Sequence, residues 1–232
     1  MTNEELTAAY QELRQRCIAL GRSLTAEQAA TMSPCCPEWS VKDLFAHLAG
    51  VPVDILEGNT ENAATAEWAD AQVARRSEDS LDQILDEWEA TAAGLDPLLT
   101  SMALDIDPRF FFDCWTHEWD LRQALALEAK PDMTLPAFLL PQIAARLTEA
   151  GAQHDFDPVA IVIGTDGESP RVVIGDGEPI AELSMSLFEF TRMLPGRRSV
   201  AQIQTLGPAA NADQLVYFTP ASTDIVDPVV LN

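Results

Sequence analysis

The spacing of apolar residues changes once along this chain, and that change limits the folds open to it. Up to about residue 130 the apolar side chains recur three and four apart, the period of a helix with one buried face. Leu6, Tyr10, Leu13, Cys17 and Leu20 mark a first helix over residues 4–21. Ser33-Pro-Cys-Cys-Pro-Glu-Trp39 interrupts the pattern, because two closely spaced prolines do not continue a helix. Ser40 opens a second helix, and Asp43 completes a capping-box pattern with it. Its apolar face carries Val41, Leu44, Phe45 and Leu48, with His47 beside them, before Gly50 and Pro52 disturb it. Residues 59–76 are polar and weakly patterned. Leu81, Ile84, Leu85 and Trp88 form the stripe of a third helix from Ser80 to Leu99. Asp107-Pro108 opens a fourth, which runs through Phe110, Phe111, Cys114, His117, Leu121 and Leu125 and ends before Lys130-Pro131. Four helices in this order predict a four-helix bundle, and one more helix is read over 135–150. Near residue 155 the helical period gives way to short β-branched runs. Val159–Ile163, Arg171–Ile174 and Pro179–Leu183 read as strands, with Asp-Gly turn signals after the first two. A helix over 187–194 stops at Pro195-Gly196. The fold class is therefore α+β. Residues 1–152 are predicted to form the bundle and 153–232 a small α+β domain.

A chain of 232 residues with 47% apolar composition can bury a substantial core. Its net charge of −23 repels phosphates, so neither nucleic acid nor an anionic membrane is an expected partner. Met1-Thr-Asn-Glu-Glu-Leu begins a polar helix rather than a signal peptide, and no apolar run is long enough to cross a bilayer. These features predict a cytoplasmic protein. Cys17, Cys35, Cys36 and Cys114 form no C-x-x-C pair, so they are read as small buried or loop residues rather than a structural zinc site.

The chain has three histidines, and two of them follow an aspartate by four residues: Asp43 and His47, then Asp113 and His117. Residues four apart share one helical face, so a carboxylate and an imidazole so placed can grip one divalent ion. Asp43 sits where a carboxylate caps its helix, and is expected to cap rather than ligate. For His47 a hydrogen-bonded core position is the competing reading. For Asp113 and His117 it is a simple Asp–His pair. Asp120, three residues after His117, is placed to orient that ring. Arg122 is read as a structural ion-pair residue. His154, with Asp155 and Asp157 nearby, fits an interdomain linker better than a metal cluster. Trp39, Trp68, Trp88, Trp115 and Trp119 are read as packing residues.

Two segments carry a family resemblance. Cys36-Pro-Glu-Trp-Ser-Val-Lys-Asp-Leu-Phe-Ala-His-Leu-Ala-Gly50 and Phe112-Asp-Cys-Trp-Thr-His-Glu-Trp-Asp-Leu-Arg-Gln-Ala-Leu125 resemble the two signatures of the mycothiol-dependent maleylpyruvate isomerase family, in the DinB-like superfamily. Leu194-Pro-Gly-Arg-Arg198 is similar to the helix end of the C-terminal domain such proteins often carry. The resemblance implies an antiparallel DinB-like bundle holding a divalent metal, most often zinc, through His47, Asp113 and His117. The family prototype has glutamate where this chain has Asp113. It also holds a substrate carboxylate with an arginine from its C-terminal part. No arginine follows Arg198 here, so Arg197 and Arg198 are the substrate-binding candidates, with capping of a helix end as their other reading.

A shared ion requires the side chains of His47 and His117 to approach within about 6 Å. The chemistry implied is that of a low-molecular-weight thiol such as mycothiol, acting as cosubstrate beside a small acidic or electrophilic substrate. Its thiolate adds to an activated double bond, permits rotation and leaves again, or stays as an S-conjugate. The competing functions are a metal-dependent hydrolase and a non-enzymatic metal-binding or interaction protein on the same scaffold.

Overall fold

Helix α1 (Asn3–Arg22) starts where Thr2 and Glu5 satisfy each other's backbone amides in a capping box, and it buries Leu6, Tyr10, Leu13 and Cys17. The computed structural model describes residues 1–153, 157–164, 170–175, 177–207 and 220–230. The chain divides into two units, Met1–Leu127 and Glu128–Asn232. The sequence-based boundary at 152/153 falls later, because the helix read over 135–150 lies in the second unit.

After a single turn of helix, α2 (Ala26–Ala29), the first unit makes a short antiparallel hairpin of β1 (Met32–Ser33) and β2 (Cys36–Ser40). This pairing replaces the expected irregular segment over 33–39. A two-stranded hairpin has only edges, where Pro37 is tolerated. Helix α3 (Val41–Glu57) begins at Ser40 as read. Ser40 Oγ accepts from the Asp43 amide at 3.2 Å, and Asp43 Oδ2 accepts from the Ser40 amide at 2.9 Å. The helix runs unbroken past Gly50 and Pro52.

Helix α4 (Ala66–Arg75), N-capped by Thr65, occupies the stretch that reads as polar and unpatterned. Helices α5 (Leu81–Ala90) and α6 (Ala92–Met102) are the predicted third helix. Thr91 between them keeps helical dihedrals of −61° and −22°. A 3₁₀ turn over Ala103–Asp105 leads to α7 (Arg109–Ala124). Helix α1 packs on α5, α6 and α7, and α3 packs on α4, α5 and α7. The four members of the bundle are thus α1, α3, the α5–α6 pair and α7. Their shared core is Leu44, Phe45, Ile84, Leu85, Trp88, Leu95, Leu99 and Phe111, all fully buried. Burying each aliphatic or Phe side chain of this kind contributes about 1.5–3 kcal/mol.

The second unit contains α8 (Thr134–Gln153), β3 (Val159–Gly164), β4 (Arg171–Ile174), β5 (Ala181–Ser186), α9 (Leu187–Met193) and α10 (Val200–Thr205). The sheet order is β4-β3-β5, with β3 antiparallel to β4 and parallel to β5. Helix α9 packs on β3, β5 and α8. The α+β class is as read, and α10 adds a short helix that the sequence reading lacks. No helix among the described residues is long and apolar enough to cross a membrane. His154 and Asp155 lie outside the described residues.

Candidate metal centre

His47 and His117 come from the middles of α3 and α7, where the helices pack together. Both rings are almost completely buried, at 4% and 5% exposure, and their centroids are 4.9 Å apart. Asp113, one turn before His117, lies between them. Its Oδ2 is 3.2 Å from His47 Nε2, and its Oδ1 is 3.5 Å from His117 Nε2. Ligand atoms of all three lie within 4.8 Å of one another. Four ligands at about 2.0–2.1 Å from a tetrahedral ion lie about 3.3 Å from each other. One Asp113 oxygen faces each imidazole, at 3.2 and 3.5 Å, and ligand atoms gathered this closely can share a divalent ion. The Asp113 side chain is 38% exposed, which leaves one side of the trio open to an incoming ligand.

The far nitrogens of the rings are engaged differently. His47 Nδ1 is 2.7 Å from Gln72 Oε1 on α4. His117 Nδ1 lies 3.0 Å from Asp120 Oδ2, a close charge contact. Asp120 is fully buried and sits where the spacing put it, beside the His117 ring. Burial disfavours the charged form of His117, but Asp113, helped by Asp120, outweighs it and raises its pKa to about 8. Desolvation likewise opposes the Asp113 carboxylate, yet the two imidazoles hold its pKa well below the usual carboxylate range. A second trio, Cys36, His117 and Asp120, also brings ligand atoms within 4.8 Å.

Two tryptophans flank the centre. Trp39 lies 5.2 Å from the His47 ring and 6.2 Å from that of His117, and Trp68 meets His47 edge-on at 6.5 Å. Both are half-buried, and their indole N–H groups donate to Asp70 and to the Asn59 carbonyl. Asp43 caps α3, and the described metal-ligand groupings do not include it. Arg122 pairs with the buried Glu118 at 2.9 Å, and Arg16 grips the same carboxylate from α1. Cys17 and Cys114 are buried, Cys35 and Cys36 half-buried, and none of the four forms a disulfide.

Arg197 and Arg198 are both buried and engaged within the second unit. Arg198 binds both oxygens of Glu189 and reaches Asp227 at 2.9 Å, while Arg197 donates to the Pro195 carbonyl. Arg192, fully buried, also holds Asp227. These pairs tie α9 to the segment around Asp227.

Gln72 is the site residue that sequence reading misses. The available signal was Gly50, a glycine in mid-helix with no turn to make. A Cβ there would lie 2.6 Å from Gln72 Cβ.

Comparison with known proteins agrees with this architecture. Residues 10–122 match the family model of the mycothiol maleylpyruvate isomerase N-terminal domain. The crystal structure of the mycothiol-dependent maleylpyruvate isomerase superposes with a TM-score of 0.57 at 16% identity, covering 85% of this chain and 90% of that one. A histidine-to-alanine mutant of that enzyme superposes with a TM-score of 0.56 at 15% identity and the same coverage. At these identities the likeness establishes the fold. No curated protein matches the sequence. The segment that contains His47, Asp113 and His117 thus matches the mycothiol maleylpyruvate isomerase N-terminal domain, and the chain shares the fold of the solved isomerase.

Proposed function

We propose that this protein is a divalent-metal-dependent enzyme that uses a low-molecular-weight thiol, mycothiol or a close analogue. It would isomerise, or transfer sulfur to, a small unsaturated acid or other electrophile. The observation that carries the reading is the convergence of His47, Asp113 and His117, with ligand atoms within 4.8 Å of one another and the Asp113 side chain partly exposed. In this reading His47 and His117 present Nε2 and Asp113 an oxygen to the ion, with zinc the expected metal. The ion supplies a low thiol pKa, since coordination favours the thiolate. Asp113 balances part of the ionic charge, and Asp120 keeps His117 electron-rich. The half-buried faces of Trp39 and Trp68 narrow the approach and limit water around the reacting sulfur.

The test is turnover of maleylpyruvate and of a simple unsaturated electrophile by zinc-loaded protein, with and without mycothiol. Turnover that requires both metal and thiol, and that His47→Ala abolishes, supports the proposal. Hydrolysis without thiol would replace it with a metal hydrolase. Failure to retain zinc would leave a protein with no metal chemistry at this site.

A further inference from the structure

Gln72 is fully buried on α4, and its amide spans two groups. Its Oε1 lies 2.7 Å from His47 Nδ1, and its Nε2 donates to Asp54 Oδ2 at 2.7 Å. Asp54 is itself fully buried on α3. Arg75 Nη2 donates to both its oxygens, at 2.7 and 2.8 Å, and Asn59 Nδ2 donates to Oδ1 at 3.0 Å. Both oxygens of Asp54 are thus acceptors in these contacts. The Gln72 NH₂ must therefore face Asp54, and its carbonyl must face His47. A carbonyl oxygen only accepts, so His47 Nδ1 must carry a proton. In the neutral ring the lone pair then sits on Nε2, the nitrogen that faces Asp113 and the centre.

The backbone is shaped for this contact. A Cβ on Gly50 would lie 2.6 Å from Gln72 Cβ, 2.7 Å from its Cγ and 2.9 Å from Arg76 Nη1. Only glycine lets α4 approach α3 closely enough to seat the amide. Arg76, anchored on Glu87, also donates to the Gln72 carbonyl at 3.0 Å, which fixes the backbone under that side chain.

We propose that Gln72, oriented by Asp54, is a positioning residue that fixes His47 as the Nδ1-protonated, Nε2-donating tautomer. The inference rests on the metal-centre reading above for its consequence, but the tautomer itself is a property of the chain alone. It also makes the two imidazoles unequal. His47 is backed by a neutral amide, and His117 by the Asp120 carboxylate. His117 is then the stronger donor, and His47 the one most dependent on correct orientation.

Two measurements test it. In metal-free wild-type protein, nitrogen-resolved NMR of the His47 ring should show a proton on Nδ1. It should persist when zinc is added, while the Nε2 signal shifts. A bare Nδ1 in the metal-free protein would overturn the proposal whether or not zinc binds. The second measurement is zinc affinity by chelator competition for wild type, Gln72→Met and Asp54→Asn. Gln72→Met keeps the volume and removes both hydrogen bonds. Asp54→Asn directs its own NH₂ at Gln72, since Arg75 and Asn59 claim its oxygen. Gln72 must then turn over and donate to His47 Nδ1, which puts the ring proton on Nε2. Each variant should bind zinc about 10- to 100-fold more weakly, with helical circular dichroism unchanged. Wild-type affinity in both variants would refute the positioning role while leaving the metal centre standing.

Discussion

Gly50→Ala sets two effects of opposite sign against each other. Alanine in a helix interior is favoured over glycine by about 1 kcal/mol, so propensity alone forecasts a more stable protein. The structure forecasts the reverse. The new methyl would meet Gln72 Cβ at 2.6 Å, Gln72 Cγ at 2.7 Å and Arg76 Nη1 at 2.9 Å. Ordinary carbon–carbon contact is about 3.5–4.0 Å, so α4 must retreat by about 1 Å. Gln72 Cβ and Cγ lie close to the backbone and cannot swing aside as a long side-chain tip would. Overpacking of this kind costs about 1–3 kcal/mol, which leaves a net loss of up to about 2 kcal/mol after the propensity gain. The same retreat lengthens the 2.7 Å Gln72–His47 contact beyond hydrogen-bonding reach. The assay is urea unfolding followed by circular dichroism, paired with zinc competition on the same samples. Wild-type or higher stability in Gly50→Ala, with unchanged zinc affinity, would refute the close approach of α3 and α4.

Asp120→Asn removes the charge 3.0 Å from His117 Nδ1. It should weaken zinc binding about 10- to 100-fold by chelator competition, with little change in the unfolding midpoint. Trp88→Ala empties a fully buried position between α5 and α1 and should cost about 3–5 kcal/mol in denaturant unfolding. Adding zinc in excess should raise the thermal midpoint of the wild type and leave that of His47→Ala unmoved, because only a competent site links binding to stability.

What the sequence reveals about this site follows the range of the interactions. Asp113, His117 and Asp120 are legible because helix geometry alone puts positions four and three apart on one face. The capping pair of Ser40 and Asp43 is legible for the same local reason. The Gln72 contacts cross 25 residues to His47 and 18 to Asp54, and no local rule announces them. Helix α4 escapes reading because the residue it buries is Gln72, so it lacks the apolar stripe by which a helix is found. Strand β2 is hidden by its proline. For Arg197 and Arg198 the charges are visible in the sequence, but the carboxylates of Glu189 and Asp227 that meet Arg198 become neighbours only in the fold. The boundary near 152 follows the change of period in the sequence, whereas α8 belongs with the strands it packs on rather than with the helices before it.

The central claim is that one divalent ion is held by three side chains from α3 and α7. Crystals of zinc-loaded protein, measured on both sides of the zinc absorption edge, test it directly. The account predicts a single anomalous peak within about 2.0–2.2 Å of His47 Nε2, an Asp113 oxygen and His117 Nε2. No peak there after loading, or a peak held instead by Cys36 and Asp120, would contradict it.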